Sequence, residues 1–178
     1  MLSTAEKIAK ARELKMEGNS LFKSGDLKKA VVKYRTVFAF VNGLVAEGDS
    51  MAQYGKVDVD GEEKQEIAQL KKEVYSNLAM AYLRLEKPDK ALQVCDKAIE
   101  IDANDSKLFF RKGLAYMAVA EFEKSKECLL ISAKLDPRNK AIRSAIEEWK
   151  TMQSGRKNKT RKTNLFTEVH LKNNNNSF

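Results

Sequence analysis

Proline occurs only twice in this 178-residue chain and glycine only eight times. Residues that interrupt helices are therefore scarce, while Ala, Leu, Lys and Glu are plentiful, which points to long helices and excludes an all-β fold. No apolar run approaches the roughly 20 residues needed to cross a bilayer. The opening MLSTAEKIAKARELK also lacks the unbroken apolar core of a secretion signal. The expectation is a cytoplasmic protein, or one shared with the nucleus, that has no membrane partner. Two cysteines, Cys95 and Cys128, are too few for a disulfide framework or a four-ligand zinc site and fall inside apolar helical patterns, so they read as buried thiols. The single histidine, His170, lies in a polar tail, so no Ser-His-Asp or Cys-His arrangement can be assembled. There is no phosphate-binding glycine loop. Asp58, Asp60 and Gly61 brush against a calcium loop, but Lys56 and Ile67 stand where its first and last acidic ligands belong. Neither catalysis, a cofactor nor a metal is called for.

Charge of one sign is concentrated at one end. Of the net charge of +8, a share of +5 belongs to the stretch from Gly155 to Phe178, where six Lys or Arg face the single acid Glu168. The rest of the chain is nearly balanced, so a nucleic-acid partner is expected only through the GRKNKTRK cluster of that tail. With few apolar residues and an Asn run near its end, segment 155–178 reads as a disordered, basic, Asn-rich tail following a folded domain over 1–154.

What the chain does have is self-similarity at a spacing of 34 residues. Lys72 to Asp105 reads KEVYSNLAMAYLRLEKPDKALQVCDKAIEIDAND and Ser106 to Asn139 reads SKLFFRKGLAYMAVAEFEKSKECLLISAKLDPRN; the two align without a gap. Numbering each from 1, position 4 is Tyr75 or Phe109, position 8 is Ala79 or Gly113, position 11 is Tyr82 or Tyr116, position 20 is Ala91 or Ser125, and position 27 is Ala98 or Ser132. A third copy starts at Ala11, with Leu14, Gly18, Leu21, Ala30 and Tyr34 at positions 4, 8, 11, 20 and 24. This pattern resembles the tetratricopeptide repeat (TPR), which alternates large and small residues at these positions. The resemblance implies an all-α, right-handed helical solenoid of three helix-turn-helix repeats, about 11–44, 72–105 and 106–139. Turns fall at Ser24 to Asp26, Glu86 to Asp89 and Ala120 to Phe122. Between repeats one and two, an insertion within 45–71 is divided among an extension of the first repeat's second helix to about Glu47, a loop, and an early start of the next helix near Glu62. Ile142, Ile146 and Trp149 form the stripe of an amphipathic capping helix over about 139–153.

Along the first helix of each repeat, positions 4, 7, 8 and 11 point toward the packed neighbours, and positions 2, 5, 6 and 9 point the opposite way. In a solenoid that opposite face lines the concave groove. Lys15 and Asn19 stand there in the first repeat, Asn77 in the second, and Lys107 and Arg111 in the third. Any one exposed cation is ordinary, but Asn gains nothing in mid-helix, and three cations with two carboxamides make a receptor for several carboxylates. The set is similar to the dicarboxylate clamp of co-chaperone TPR domains such as those of immunophilins and of the tetratricopeptide repeat protein nine group. That resemblance implies a non-enzymatic adaptor for the acidic C-terminal Glu-Glu-Val-Asp of the ninety- or seventy-kilodalton heat-shock chaperone. Lys15, Asn19, Asn77 and Lys107 would hold the terminal Asp, and Arg111 would reach upstream. Met80, Arg84 and Phe110 are secondary contacts by the same resemblance. The alternatives are a general scaffold, or a nuclear or nucleic-acid-associated factor acting through the tail.

Overall fold

The computed structural model describes residues 2–42, 44 and 59–155. Six helices form three hairpins: α1 (Thr4–Lys23) with α2 (Leu27–Val41), α3 (Gly61–Arg84) with α4 (Pro88–Ile101), and α5 (Ser106–Ala118) with α6 (Phe122–Leu135). A seventh, α7, spans 140–155, and no strand occurs among the described residues. No helix in this set is long and apolar enough to cross a membrane.

Helix starts follow from local chemistry. Ser3 with Glu6 and Asp60 with Glu63 form reciprocal capping boxes at α1 and α3, so Asp60, one of the calcium-loop look-alikes, is a helix cap. Asp26 and Asp105 accept backbone N–H bonds at the starts of α2 and α5, and Pro88 opens α4 where no N–H is needed. The second helix ends earlier than the sequence suggests, at Val41 rather than near Glu47. Asn42 caps it and Gly43 follows, a pair that favours leaving the helix. The loop expected after it falls mostly outside the described residues. The early start of α3, at Gly61, is as the sequence indicates.

The turns inside the hairpins share one conformation. Gly25, Glu86 and Ala120 all occupy repeat position 15, and all have positive φ, at 86°, 55° and 60°. Only the first repeat uses the residue that enters this region without a steric cost.

Within each hairpin the helices close on a small residue. A Cβ at Gly18 would lie 2.6 Å from the Tyr34 ring, and one at Gly113 would lie 2.9 Å from Leu129 side-chain carbons. Tyr34 and Leu129 are each 1% exposed, so neither ring nor branch has room to retreat. Ser125 and Ser132 replace alanine in the third repeat and are fully buried. Their hydroxyls donate to the Gly113 and Ser106 carbonyls at 2.9 and 2.8 Å, which removes the cost of burying them. Between repeats one and two, Phe38 stacks on Tyr75 at 4.5 Å. At the far end, Ile142 and Ala145 of α7 are buried and the Trp149 indole N–H donates to the Phe122 carbonyl at 2.8 Å, covering the last hairpin. Cys95 and Cys128 are buried thiols, and burial pushes Cys95 up to about 12.

Gly113→Ala should lose about 1–2 kcal/mol in urea unfolding, because overpacking against Leu129 outweighs the gain in helix propensity. Ala120→Gly should raise stability by about 0.5–1 kcal/mol in the same measurement, since glycine relieves the left-handed strain at position 15. An unchanged midpoint for the first, or a fall for the second, would contradict these packing and turn assignments.

Candidate functional site

Each hairpin's first helix contacts the next one's, α1 with α3 and α3 with α5, so these three form a continuous inner row. A cavity of about 320 Å³ opens along it. Lys15 and Asn19 enter it from α1, Gln69, Lys72, Glu73, Ser76 and Asn77 from α3, Asp105 from the turn before α5, and Lys107 and Arg111 from α5. The five residues singled out by helical phase therefore line one space.

Their electrostatic states differ. The Lys107 ammonium is exposed and makes no ion pair or hydrogen bond among the described residues. The nearby Asp105 spends one oxygen on the Lys107 backbone N–H at 2.9 Å and the other near Lys72 at 3.8 Å. Arg111 is partly buried; its guanidinium donates to the Ser76 hydroxyl and forms no ion pair among the described residues. Burial pushes the Arg111 pKa down, but a guanidinium stays charged at neutral pH. Lys72 is already neutralised by Asp102 at 2.9 Å, and that hydrogen bond raises its pKa. Lys15 pairs with Glu73 at 2.5 Å. For Glu73, burial is the largest influence and pushes upward, but hydrogen bonds from Lys15 and Gln69 and the nearby cations outweigh it, so its pKa is lowered.

The two carboxamides are oriented by the fold. Asn19 Oδ1 accepts from the Tyr34 hydroxyl at 2.8 Å and from Asn77 Nδ2 at 2.9 Å. With its oxygen claimed twice, Asn19 leaves its NH₂ group free as the functional end, a donor rather than an acceptor. Tyr34 is the residue that packs on Gly18, so one side chain closes the hairpin and sets the polarity of the site.

A smaller cavity of about 150 Å³ adjoins the first and shares Asn19, Asn77 and Arg111 with it. Met80 lines this space together with Phe22 and Tyr34, giving it a more apolar wall. Arg84 lies over the Phe22 ring at 4.9 Å and borders neither cavity, and Phe110 likewise lines neither. Glu73 and Ser76 were missed by reasoning from charge sign, although positions 2 and 5 of the second repeat had the signal to place them on this face. Tyr34 reaches in from a second helix, and no argument about first-helix faces could find it.

Four cations and two carboxylates thus share the larger cavity, with oriented N–H donors between them. Such an arrangement can receive an anion.

The sequence and fold have known counterparts. A family profile for the tetratricopeptide repeat matches residues 73–105. The chain is 30% identical over 170 residues to the mouse (Mus musculus) peptidyl-prolyl cis-trans isomerase FKBP4, covering 94% of this chain and 34% of that protein. The chain spans about a third of the length of the curated relatives it matches. The C-terminal TPR-containing domain of a Plasmodium falciparum FK506-binding protein superposes with a TM-score of 0.72 at 27% identity, covering 88% of this chain and 97% of that one. The first TPR of Spaghetti (RPAP3), solved bound to an HSP90 peptide SRMEEVD, has the same fold at TM-score 0.63 and 21% identity, with 82% and 94% covered. By its repeat sequence and its helical hairpins the chain folds as a tetratricopeptide repeat solenoid, and it is similar to the TPR-containing domains of FK506-binding proteins.

Proposed function

We propose that the chain is a non-enzymatic adaptor whose inner groove binds the acidic C-terminal Glu-Glu-Val-Asp peptide of a cytoplasmic heat-shock chaperone. The observation that carries this reading is the state of the groove: Lys107 and Arg111 have no acidic partner among the described residues, and the Asn19 amide is turned to donate. A cation held partly buried without a counter-ion costs free energy, and a ligand carboxylate would return it as charge-assisted hydrogen bonds.

The terminal Asp fits the larger cavity, its two carboxylates between Lys15, Asn19, Asn77 and Lys107. A volume of about 320 Å³ is at the low end for ligand pockets, which run from about 300 to 1,000 Å³, and suits one or two residues. The adjoining cavity, walled by Phe22, Met80 and Tyr34, suits the Val side chain that precedes the Asp. Arg111 borders both spaces and can reach the peptide's upstream acids. Arg84 and Phe110 border neither, so they contribute less than Met80. Support from outside the geometry comes from the RPAP3 repeat, whose own structure was solved with an acidic chaperone peptide. On this reading the basic tail, which falls outside the described residues, is separable from peptide binding.

Calorimetric titration with a peptide ending in Met-Glu-Glu-Val-Asp should show saturable 1:1 binding that weakens as salt rises. Amidating the peptide terminus, or Lys107→Ala, should each weaken it by about tenfold or more, the loss of one charge-assisted hydrogen bond. Deleting residues 156–178 should leave the affinity unchanged. A free-acid peptide that fails to bind at low salt would refute the reading, and loss of binding on tail deletion would transfer the function to the tail.

A further inference from the structure

In a groove that collects cations, one of its two carboxylates, Glu73, pairs with a cation of the proposed clamp. Glu73 accepts from Gln69 Nε2 at 2.8 Å through one oxygen and from Lys15 Nζ through the other. Both oxygens are thus held by groups that line the cavity, and one of those groups is a cation of the proposed clamp. Glu73 and Lys107 also share repeat position 2 in successive repeats, so the same rung of the groove carries opposite charges on α3 and α5.

The pair has no unique structural duty. Arg12 and Glu66 already bridge α1 and α3 two helical turns away, and Glu66 lies outside the larger cavity. The Glu73 side chain is 39% exposed and the Lys15 side chain 22%, so water reaches the pair and a ligand can enter it. Ion pairs at this exposure are weak enough to be exchanged.

From this geometry we infer that Glu73 is a resident carboxylate which occupies Lys15 in the empty groove and must release it when an acidic C-terminus binds. The inference rests on the peptide-binding reading above and concerns how that site is regulated. Glu73 holds Lys15 in a conformation facing the cavity, and it also competes with the ligand for the same ammonium group. A ligand with one carboxylate merely exchanges an equivalent partner at Lys15. A ligand with a terminal and a side-chain carboxylate gains a second contact at Lys107, which has no resident partner. Glu73 thereby lowers the gain of any ligand carboxylate that settles at Lys15 and leaves Lys107 as the uncontested contact. Its carboxyl stays ionised well below neutral pH under the influence of Lys15 and Gln69, so the competition operates throughout the physiological range.

The test is a set of titrations of the full chain with the Met-Glu-Glu-Val-Asp peptide. Glu73→Gln should tighten binding about three- to tenfold, the range opened by freeing one exposed ion-pair partner and removing a like charge. Glu66→Gln removes an equal charge outside the larger cavity, one that pairs with Arg12 and not with a cation of the proposed clamp, and should change affinity less than about twofold. In a Lys15→Ala background, Glu73→Gln should lose most of its gain, because no cation is left to free. Glu73→Ala serves as a second variant, and circular dichroism verifies that each chain is folded. Equal or weaker binding by both Glu73 variants overturns the inference, as does a gain matched by Glu66→Gln or retained without Lys15. If the parent chain binds and the Glu73 variants match it, only the resident-carboxylate inference fails. If neither the parent nor the variants bind, the peptide-binding reading fails and this inference falls with it.

Discussion

The structure depends on how closely the two helices of a hairpin can approach, and one pair of positions controls that distance. Position 8 of each first helix faces position 24 of its partner. The observed pairs are Gly18 with Tyr34 and Gly113 with Leu129, and the same register puts the buried Ala79 and Cys95 at these positions in the second repeat. Where position 8 is glycine the opposing residue is large, and where it is alanine the opposing residue is the small Cys95. Each pair trades volume across its hairpin, a small residue on one helix against a larger one on the other, so that the two helices close at interior packing density. The hairpins closed in this way stack α1 on α3 and α3 on α5, the row along which the groove runs.

The site inherits its chemistry from this packing. Tyr34 fills the gap over Gly18 and, with the hydroxyl at the end of the same ring, fixes the Asn19 amide. Asn77 then adds a second donor to Asn19 Oδ1, and this joins repeats one and two across the groove. A change at Gly18 would therefore register twice, once as strain in the hairpin and once as misorientation of a polar donor.

Much of this was legible in the sequence because a 34-residue period fixes helical phase without reference to charge. Once large and small residues set which face packs, the remaining face follows by rotation, and Lys15, Asn19, Asn77, Lys107 and Arg111 fall on it. What escaped was of two kinds. Glu73 and Ser76 were on the right face but of the wrong chemical type for a search that looked for positive groups. Tyr34, Asp102 and Asp105 act from other helices or turns, and their effect depends on distances between elements that periodicity does not encode. The early end of α2 at Val41 escaped for a different reason: Asn42 and Gly43 are a local stop signal that a pattern of apolar residues overrode in the reading.

The inner row formed by α1, α3 and α5 has a thermodynamic consequence. In a linear array each hairpin touches only its neighbours along the stack, and its ends can fray independently. The five groove residues are divided among all three hairpins, so no hairpin alone contains a site. An occupant of the groove is then a strut between the first and third units, whose helices share no direct packing contact among the described residues. It would add a link across all three hairpins to the one they already share through their common core, so that binding raises the cooperativity of unfolding as well as the stability.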